Sequence, residues 1–222
     1  MIVLIILLSI VSVHGHGYMV QPLARQRYCY QHQDYYWPIN GDGIKDEACR
    51  AAFTHVALRS NEVSAQYMFN QYTEYAANHL IQHTLCGAGA NDSNAPFGDK
   101  SGVDLPLQSW HTTLLTHGPN ELIFCPTAVH EPSYFEVYIT QPKYNYSEPI
   151  TWNNLMLIYK QGSVLTKKKV DNCHSDLVYT MVVDIPYRDN KFVLFTRWQR
   201  EDIMGEGFYN CADVQLTQND EF

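Results

Sequence analysis

The sequence predicts a mostly β protein, an immunoglobulin/fibronectin-III-like β-sandwich with a helical loop insertion between its early strands. Two patterns carry that expectation. From residue 121 onward apolar residues recur with period two, in short runs broken by Pro and Gly, as in a sandwich of short strands. From residue 46 to about 82 the period is helical instead.

An early strand is expected near residues 17–20, ahead of the insertion. Within the insertion, Ala48, Ala51, Ala52 and Val56 form one apolar stripe, and Met68, Tyr72, Tyr75 and Ala76 recur at helical spacing. Asn61 or Ser64 is placed to cap the second helix. Residues 87–102, rich in Gly, Asn and Asp, read as an ordered but irregular loop. Beyond it, Phe135, Val137 and Ile139 alternate with Tyr134, Glu136 and Tyr138. Phe192, Leu194, Thr196 and Trp198 alternate with Val193, Phe195 and Arg197, and Val214 and Leu216 with Asp213 and Gln215. Residues 155–159 and 177–185 are further strand candidates, while Pro142, Pro149, Gly162 and Pro186 mark the gaps. The run Lys167-Lys168-Lys169 reads as a solvated turn. With no internal repeat and no linker, residues 16–222 are expected to form one domain.

Residues 1–15 differ from the rest. Their apolar run, 2–13, is too short for a bilayer, which takes roughly 20 residues. It fits a secretory signal peptide, with Val13 and Gly15 at the positions a signal peptidase reads. Cleavage after Gly15 makes His16 the first residue. Cleavage after Val13 would expose His14, but a bulky β-branched residue is a poor last residue for cutting. No second apolar stretch approaches membrane length, so a secreted protein without a membrane span is expected.

The other composition signals agree. Cys29, Cys49, Cys86, Cys125, Cys173 and Cys211 are even in number, which in an exported chain argues for three disulfides and leaves their pairing open. No CxxC pair is present, which weighs against a zinc knuckle or a thioredoxin-type redox site. Asn91 and Asn145 begin glycosylation sequons. A formal charge of −8 argues against a nucleic-acid partner. Sixteen Tyr, nine Phe and four Trp suit contact with an insoluble sugar polymer, whose rings have apolar faces and hydroxyl edges, although most of these aromatics are expected in the core.

A terminal histidine brings specific chemistry. Its α-amine and its own imidazole Nδ1 can chelate one metal ion, and both lose their protons readily to a metal. One more imidazole completes three nitrogens in a plane, the tetragonal set that Cu(II) prefers. His32, His55, His79, His83, His111, His117, His130 and His174 are the candidates for it. His79 and His83 have the i, i+4 spacing of a helical zinc pair, but no Glu follows His79, and they read as helix-surface residues. His130 follows Cys125-Pro-Thr-Ala-Val at the end of an expected strand, where a neighbouring disulfide would limit its motion.

At this point the chain resembles a known family: the copper-dependent lytic polysaccharide monooxygenases of the chitin-binding type-4 group, in their insect-virus spindolin and fusolin branch. The likeness begins at His16-Gly-Tyr-Met-Val-Gln-Pro-Leu-Ala-Arg-Gln-Arg and continues through Pro96-Phe-Gly-Asp-Lys-Ser-Gly and Cys125-Pro-Thr-Ala-Val-His-Glu-Pro. It returns at Pro149-Ile-Thr-Trp-Asn, at Arg197-Trp-Gln-Arg and at Gly205-Glu-Gly-Phe-Tyr-Asn-Cys-Ala-Asp. The resemblance implies one copper ion held by the amine and imidazole of His16 and the imidazole of His130. It implies Phe208 on the axial side, Ala128 beside the open position and Trp198 behind the metal, with Phe208 and Trp198 also readable as core residues. Glu131, Gln199 and Glu206 are candidates to steer the oxygen species. Tyr35, Tyr36, Trp37 and Tyr67 are candidates for the binding face.

The reaction so implied is oxidative cleavage of chitin or a related insoluble polysaccharide, driven by an external electron donor. In a viral setting it would loosen the chitinous gut lining of an insect. Two alternatives keep the fold without the chemistry: a non-catalytic chitin-binding protein, and a virion- or occlusion-associated structural protein. The second lacks, in this chain, the C-terminal extension of spindle-forming relatives.

Overall fold

Strand β10 (Glu206–Leu216) organises the larger of two sheets. It pairs along its length with β9 (Phe192–Arg200), and its other edge takes β2 (Glu74–Ala76) at one end and, in parallel, β3 (Thr112–Leu115) at the other. Strands β5 (Ser133–Thr140) and β6 (Leu155–Gly162) extend the sheet beyond β9. The smaller sheet has the order β1 (Gly17–Gln21), β4 (Gly118–Pro126), β8 (Leu177–Ile185) and β7 (Leu165–Lys167). This computed structural model describes residues 17–33, 38–70, 74–76, 80–91, 95 and 98–217. The expected signal peptide, His16, Tyr35, Tyr36, Trp37 and His79 lie outside the described residues.

The two sheets face each other over one apolar layer. Leu122 and Phe124 from β4 and Tyr179, Met181 and Val183 from β8 meet Phe135, Val137 and Ile139 from β5, Leu194 and Trp198 from β9, and Phe208 from β10. The alternation read from the sequence therefore holds for β5, whose three apolar residues are all buried. Strand β9 goes further. Its other face is buried too, because Val193 and Phe195 pack with Tyr209 against Ala48, Ala52, Phe53, Val56, Met68 and Phe69 of the insertion. The larger sheet is thus covered on both sides. Across its outer strands Glu136 joins its register partners Arg197 (2.9 Å) and Lys160 (2.8 Å), opposite charges that favour this register.

The insertion carries three helices among the described residues: α1 (Arg25–Gln31), α2 (Glu47–Arg59) and α3 (Glu62–Asn70). Asp46 caps α2 by accepting from the Cys49 amide, and Asn61, one of the two expected caps, accepts from the Ser64 amide at the start of α3. The helical pattern read over residues 46–82 stops at Asn70. Tyr75 and Ala76 lie instead on β2, where the open edge of β10 captures them, and His83 sits in irregular chain rather than on a helix surface. Helix α1 had no signal in the pattern because its buried face is Arg25, Gln26, Arg27 and Cys29 rather than an apolar stripe.

Three disulfides staple these layers: Cys29–Cys49 joins α1 to α2, Cys86–Cys211 joins the insertion to β10, and Cys125–Cys173 joins β4 to the loop after β7. Beside the second bridge lies a buried ion pair. Arg25 Nε donates to Asp213 Oδ2 at 2.7 Å, Nη1 donates to the Val103 carbonyl, and the guanidinium lies over Trp110. Its pKa stays above the ordinary value: burial works against the charge, and Asp213 overcomes it. Breaking such a pair leaves a buried charge alone, so Arg25→Met should cost about 3–5 kcal/mol. Denaturant unfolding of the oxidised protein measures this, and a loss below about 1 kcal/mol would contradict the account.

Candidate functional site

Strand β4 ends at Cys125 and Pro126, and β5 begins at Ser133; the connection between them carries His130. Several groups hold that connection. At its near end the Cys125–Cys173 bridge fixes the chain. At His130 itself, the Tyr179 hydroxyl donates to the backbone carbonyl (3.0 Å) and accepts from the backbone amide (3.1 Å). Burial pushes that phenol up to about 12, so it remains a donor across the working pH range. At the far end, Trp198 Nε1 donates to Ser133 Oγ, Ser133 Oγ donates to Ser163 Oγ, and Ser163 donates to the Glu131 carboxylate.

The His130 ring is half-buried, with Nε2 shielded from solvent. Its nearest described aromatic neighbour is Trp198, with ring centroids 6.0 Å apart, and Trp198 in turn lies 4.8 Å from Phe208. Trp198 and Phe208 are fully buried members of the inter-sheet layer, so both are core residues, and Trp198 also lies beside the His130 ring. Ala128 is half-buried two residues before the histidine.

The start of β1 reaches the same end of the sandwich. Gly17 pairs with Pro126 and Tyr18 with Cys125, while Asn210, two residues after Phe208, accepts from the Met19 amide and from Gln26 Nε2. A Cβ on Gly17 would fall 2.1 Å from a Phe124 ring carbon and 2.9 Å from the Cys125 carbonyl oxygen, so only glycine fits there. The peptide that follows residue 16 is therefore pressed against the strand leading to His130.

The structure separates the remaining candidates. Gln199 is engaged at both ends of its amide: Nε2 donates to the carbonyls of Arg200, Gly205 and Glu206, and Oε1 accepts from Arg197. Glu206 is buried and paired with Arg200, which also holds Asp202. Both residues brace the β9–β10 turn. Glu131 is exposed, Tyr67 is exposed on α3, and Asn91 and Asn145 lie on the surface. The sequence carries no signal for Tyr179, Ser133, Ser163 and Asn210: three of them sit on strands and Ser163 just after one, and only the fold shows where their polar atoms go.

Among the described residues no three His, Cys, Asp or Glu side chains converge to hold a metal. His130 is the one candidate imidazole that this connection carries. Tyr179→Phe keeps the ring packed on Phe124, Phe135 and Trp198 but removes both bonds to His130. It should cost about 1–2 kcal/mol and raise hydrogen exchange at the His130 amide. Unchanged exchange there would show that the hydroxyl does not hold the loop.

A family model described as lytic polysaccharide mono-oxygenase, cellulose-degrading, matches residues 16–214. The spindolin of Choristoneura biennis entomopoxvirus is 43% identical, the alignment covering 93% of this chain and 70% of that one. An entomopoxvirus fusolin, solved in complex with zinc in work on virulence enhancement and in vivo crystallization into viral spindles, superposes with a TM-score of 0.84 at 40% identity, over 93% of this chain and 78% of that one. A lytic polysaccharide monooxygenase important for efficient utilization of chitin in Cellvibrio japonicus gives a TM-score of 0.68 at 27% identity, over 90% and 99% of the two chains. The family match spans most of the chain, the spindolin likeness exceeds 40% identity over most of both chains, and the chain belongs to the lytic polysaccharide mono-oxygenase family.

Proposed function

We propose that this protein is a secreted copper-dependent monooxygenase that cleaves a β-1,4-linked polysaccharide oxidatively, with chitin as its substrate, and that it serves an insect virus by opening the gut's chitin lining. The observation that carries the reading is the convergence of the β1 start and the His130 loop at one end of the sandwich. Removal of residues 1–15 frees the amine of His16, one peptide before Gly17. That amine, the His16 imidazole and the His130 imidazole would hold the ion, and Phe208 would be the aromatic ring on one side of the site.

The donor chemistry fits copper: three nitrogens and no thiolate, since the six cysteines are all in disulfides. When bound, copper supplies the redox chemistry by which oxygen or peroxide removes hydrogen from a sugar C–H bond. The protein contributes position and shelter. Tyr179 and the Cys125–Cys173 bridge hold His130 in place, Trp198 and Phe208 keep water from one side, and Ala128 leaves room on another. Electrons come from an external donor. A fusolin relative was solved in complex with zinc, and the order of divalent-metal affinities places copper ahead of zinc at a nitrogen site.

The secreted protein should begin at His16 by mass spectrometry, bind one copper, and release oxidised oligosaccharides from β-chitin when given a reductant. Loss of a supporting contact alone lowers metal affinity roughly 10–100-fold, so His130→Ala, which removes a ligand, should lower copper affinity by at least about a hundredfold and abolish release. A different first residue, or a copper-loaded sample starting at His16 that releases nothing, defeats the proposal. Chitin binding that is retained with no copper-dependent release would favour the non-catalytic alternative.

A further inference from the structure

A smaller apolar cluster lies on the outer face of the four-stranded sheet, where Tyr18 and Val20 of β1 meet Ile123 and Cys125 of β4 and Val178 of β8. These residues alternate with Met19, Leu122 and Phe124 of the inter-sheet layer and so face away from it. Val170 and Cys173, from the loop after β7, pack against the cluster. Helix α1 reaches it through a cation: the Arg27 guanidinium lies over the Tyr18 ring, 4.3 Å from the centroid.

Arg27 differs from the other buried arginines. Arg25 faces Asp213, and Arg200 holds Glu206 and Asp202, whereas among the described residues no carboxylate pairs with Arg27, which is only 5% exposed. Its charge rests on the Tyr18 ring, on the Tyr30 ring at 5.1 Å and on one carbonyl, that of Asn172, to which Nη2 donates at 2.8 Å. Ring faces suit the planar guanidinium. As a source of stability the arrangement is poor, because desolvating a charge without a counter-ion is costly. An apolar side chain would fill the same space without that cost, so the cation here serves geometry.

The contacts around Tyr18 close on themselves. Tyr18 is the register partner of Cys125, Cys125 is bridged to Cys173, and the neighbouring Asn172 carbonyl accepts from the Tyr18 hydroxyl at 3.1 Å. Asn172 takes the left-handed conformation, φ 65°, which Asn adopts more readily than most residues. Arg27 spans this circuit, on the ring at one point and on the Asn172 carbonyl at another. Both points belong to segments that shape the candidate site: Tyr18 directly follows Gly17, and the Cys125–Cys173 bridge fixes the chain leading to His130.

We propose that Arg27 is a positioning residue: it locks the start of β1 to the Cys125–Cys173 bridge and thereby sets where the first residue of the secreted chain meets His130. This rests on the copper reading above and adds to it a side chain that acts through Tyr18 and Asn172.

Arg27→Met separates position from stability. Replacing a buried charge by an apolar side chain of similar length is commonly neutral or stabilising, so the oxidised, secreted protein should unfold at the parent's temperature or above it. In the metal-free protein, hydrogen exchange should rise roughly tenfold at the amides of Met19 and Cys173, which are bonded to Asn210 and Val170. Exchange should stay unchanged at Val193, whose amide is bonded to Thr140. Copper(II) affinity should fall roughly tenfold or more, with an altered electron paramagnetic resonance spectrum. Arg27→Lys, which keeps a cation for the ring, should recover part of that affinity. Unchanged exchange at Met19 and Cys173, an unchanged copper affinity and spectrum, or a lysine variant no better than the methionine one would each overturn the proposal. So would a general loss of stability with faster exchange at Val193, which would make Arg27 an ordinary core residue. A parent protein that binds no copper defeats the copper reading instead, and exchange at Met19 and Cys173 then decides whether Arg27 locks the two segments.

Discussion

The approach of β1 to β4 at Gly17 is the constraint on which the candidate site depends. Two strands at ordinary spacing leave room for side chains, but here Phe124 and the Cys125 carbonyl occupy the volume of a Cβ. The strand must enter the sheet as glycine, and it does so directly opposite Pro126. Any residue joined ahead of Gly17 is then delivered to the end of the sandwich where the β4–β5 connection turns. The disulfide at Cys125, the Tyr179 hydroxyl and the Ser133–Ser163–Glu131 series all act on that connection. Position at this end is set by backbone contacts.

Polar atoms in this molecule have structural work away from the site. Arg200 gathers Glu206 and Asp202 across the β9–β10 turn, Glu136 ties three strands, and Arg25 with Asp213 anchors the insertion beneath β10. Each pair is held by geometry and additional hydrogen bonds, the condition under which a buried charge is tolerated. The same demand explains why Gln199 and Glu206, attractive on sequence grounds, are engaged in the turn.

Much of this was legible in advance. Period-two alternation marked β5, β9 and the end of β10, and residues 177–185 stood as a further strand candidate for β8. The Asn61 cap and the even set of cysteines were readable from residue type alone. The boundary at Asn70 was not: Tyr75 and Ala76 continue a helical spacing, and only the free edge of β10 turns them into a strand. Helix α1 escaped because its buried face is cationic and amide-bearing, satisfied by partners as distant in sequence as Asp213 and Asn210. His130 stood out through its neighbour Cys125, whereas nothing marked the Tyr179 hydroxyl, whose role depends on a partner 49 residues away.

The central place of β10 also governs how the chain can assemble. Its neighbours are β9, β2 and β3, its disulfide reaches back 125 residues to Cys86, and its Asn210 holds β1. It is the last strand in sequence among the described residues. Until it is made, the helices have no complete sheet to pack on and the inter-sheet layer lacks Phe208 and Val214. Such long-range pairing makes for slow folding with apolar surface exposed on the way. A nascent chain of this protein stays dependent on residues 206–216, and a truncation that takes them away removes the fold rather than trimming it.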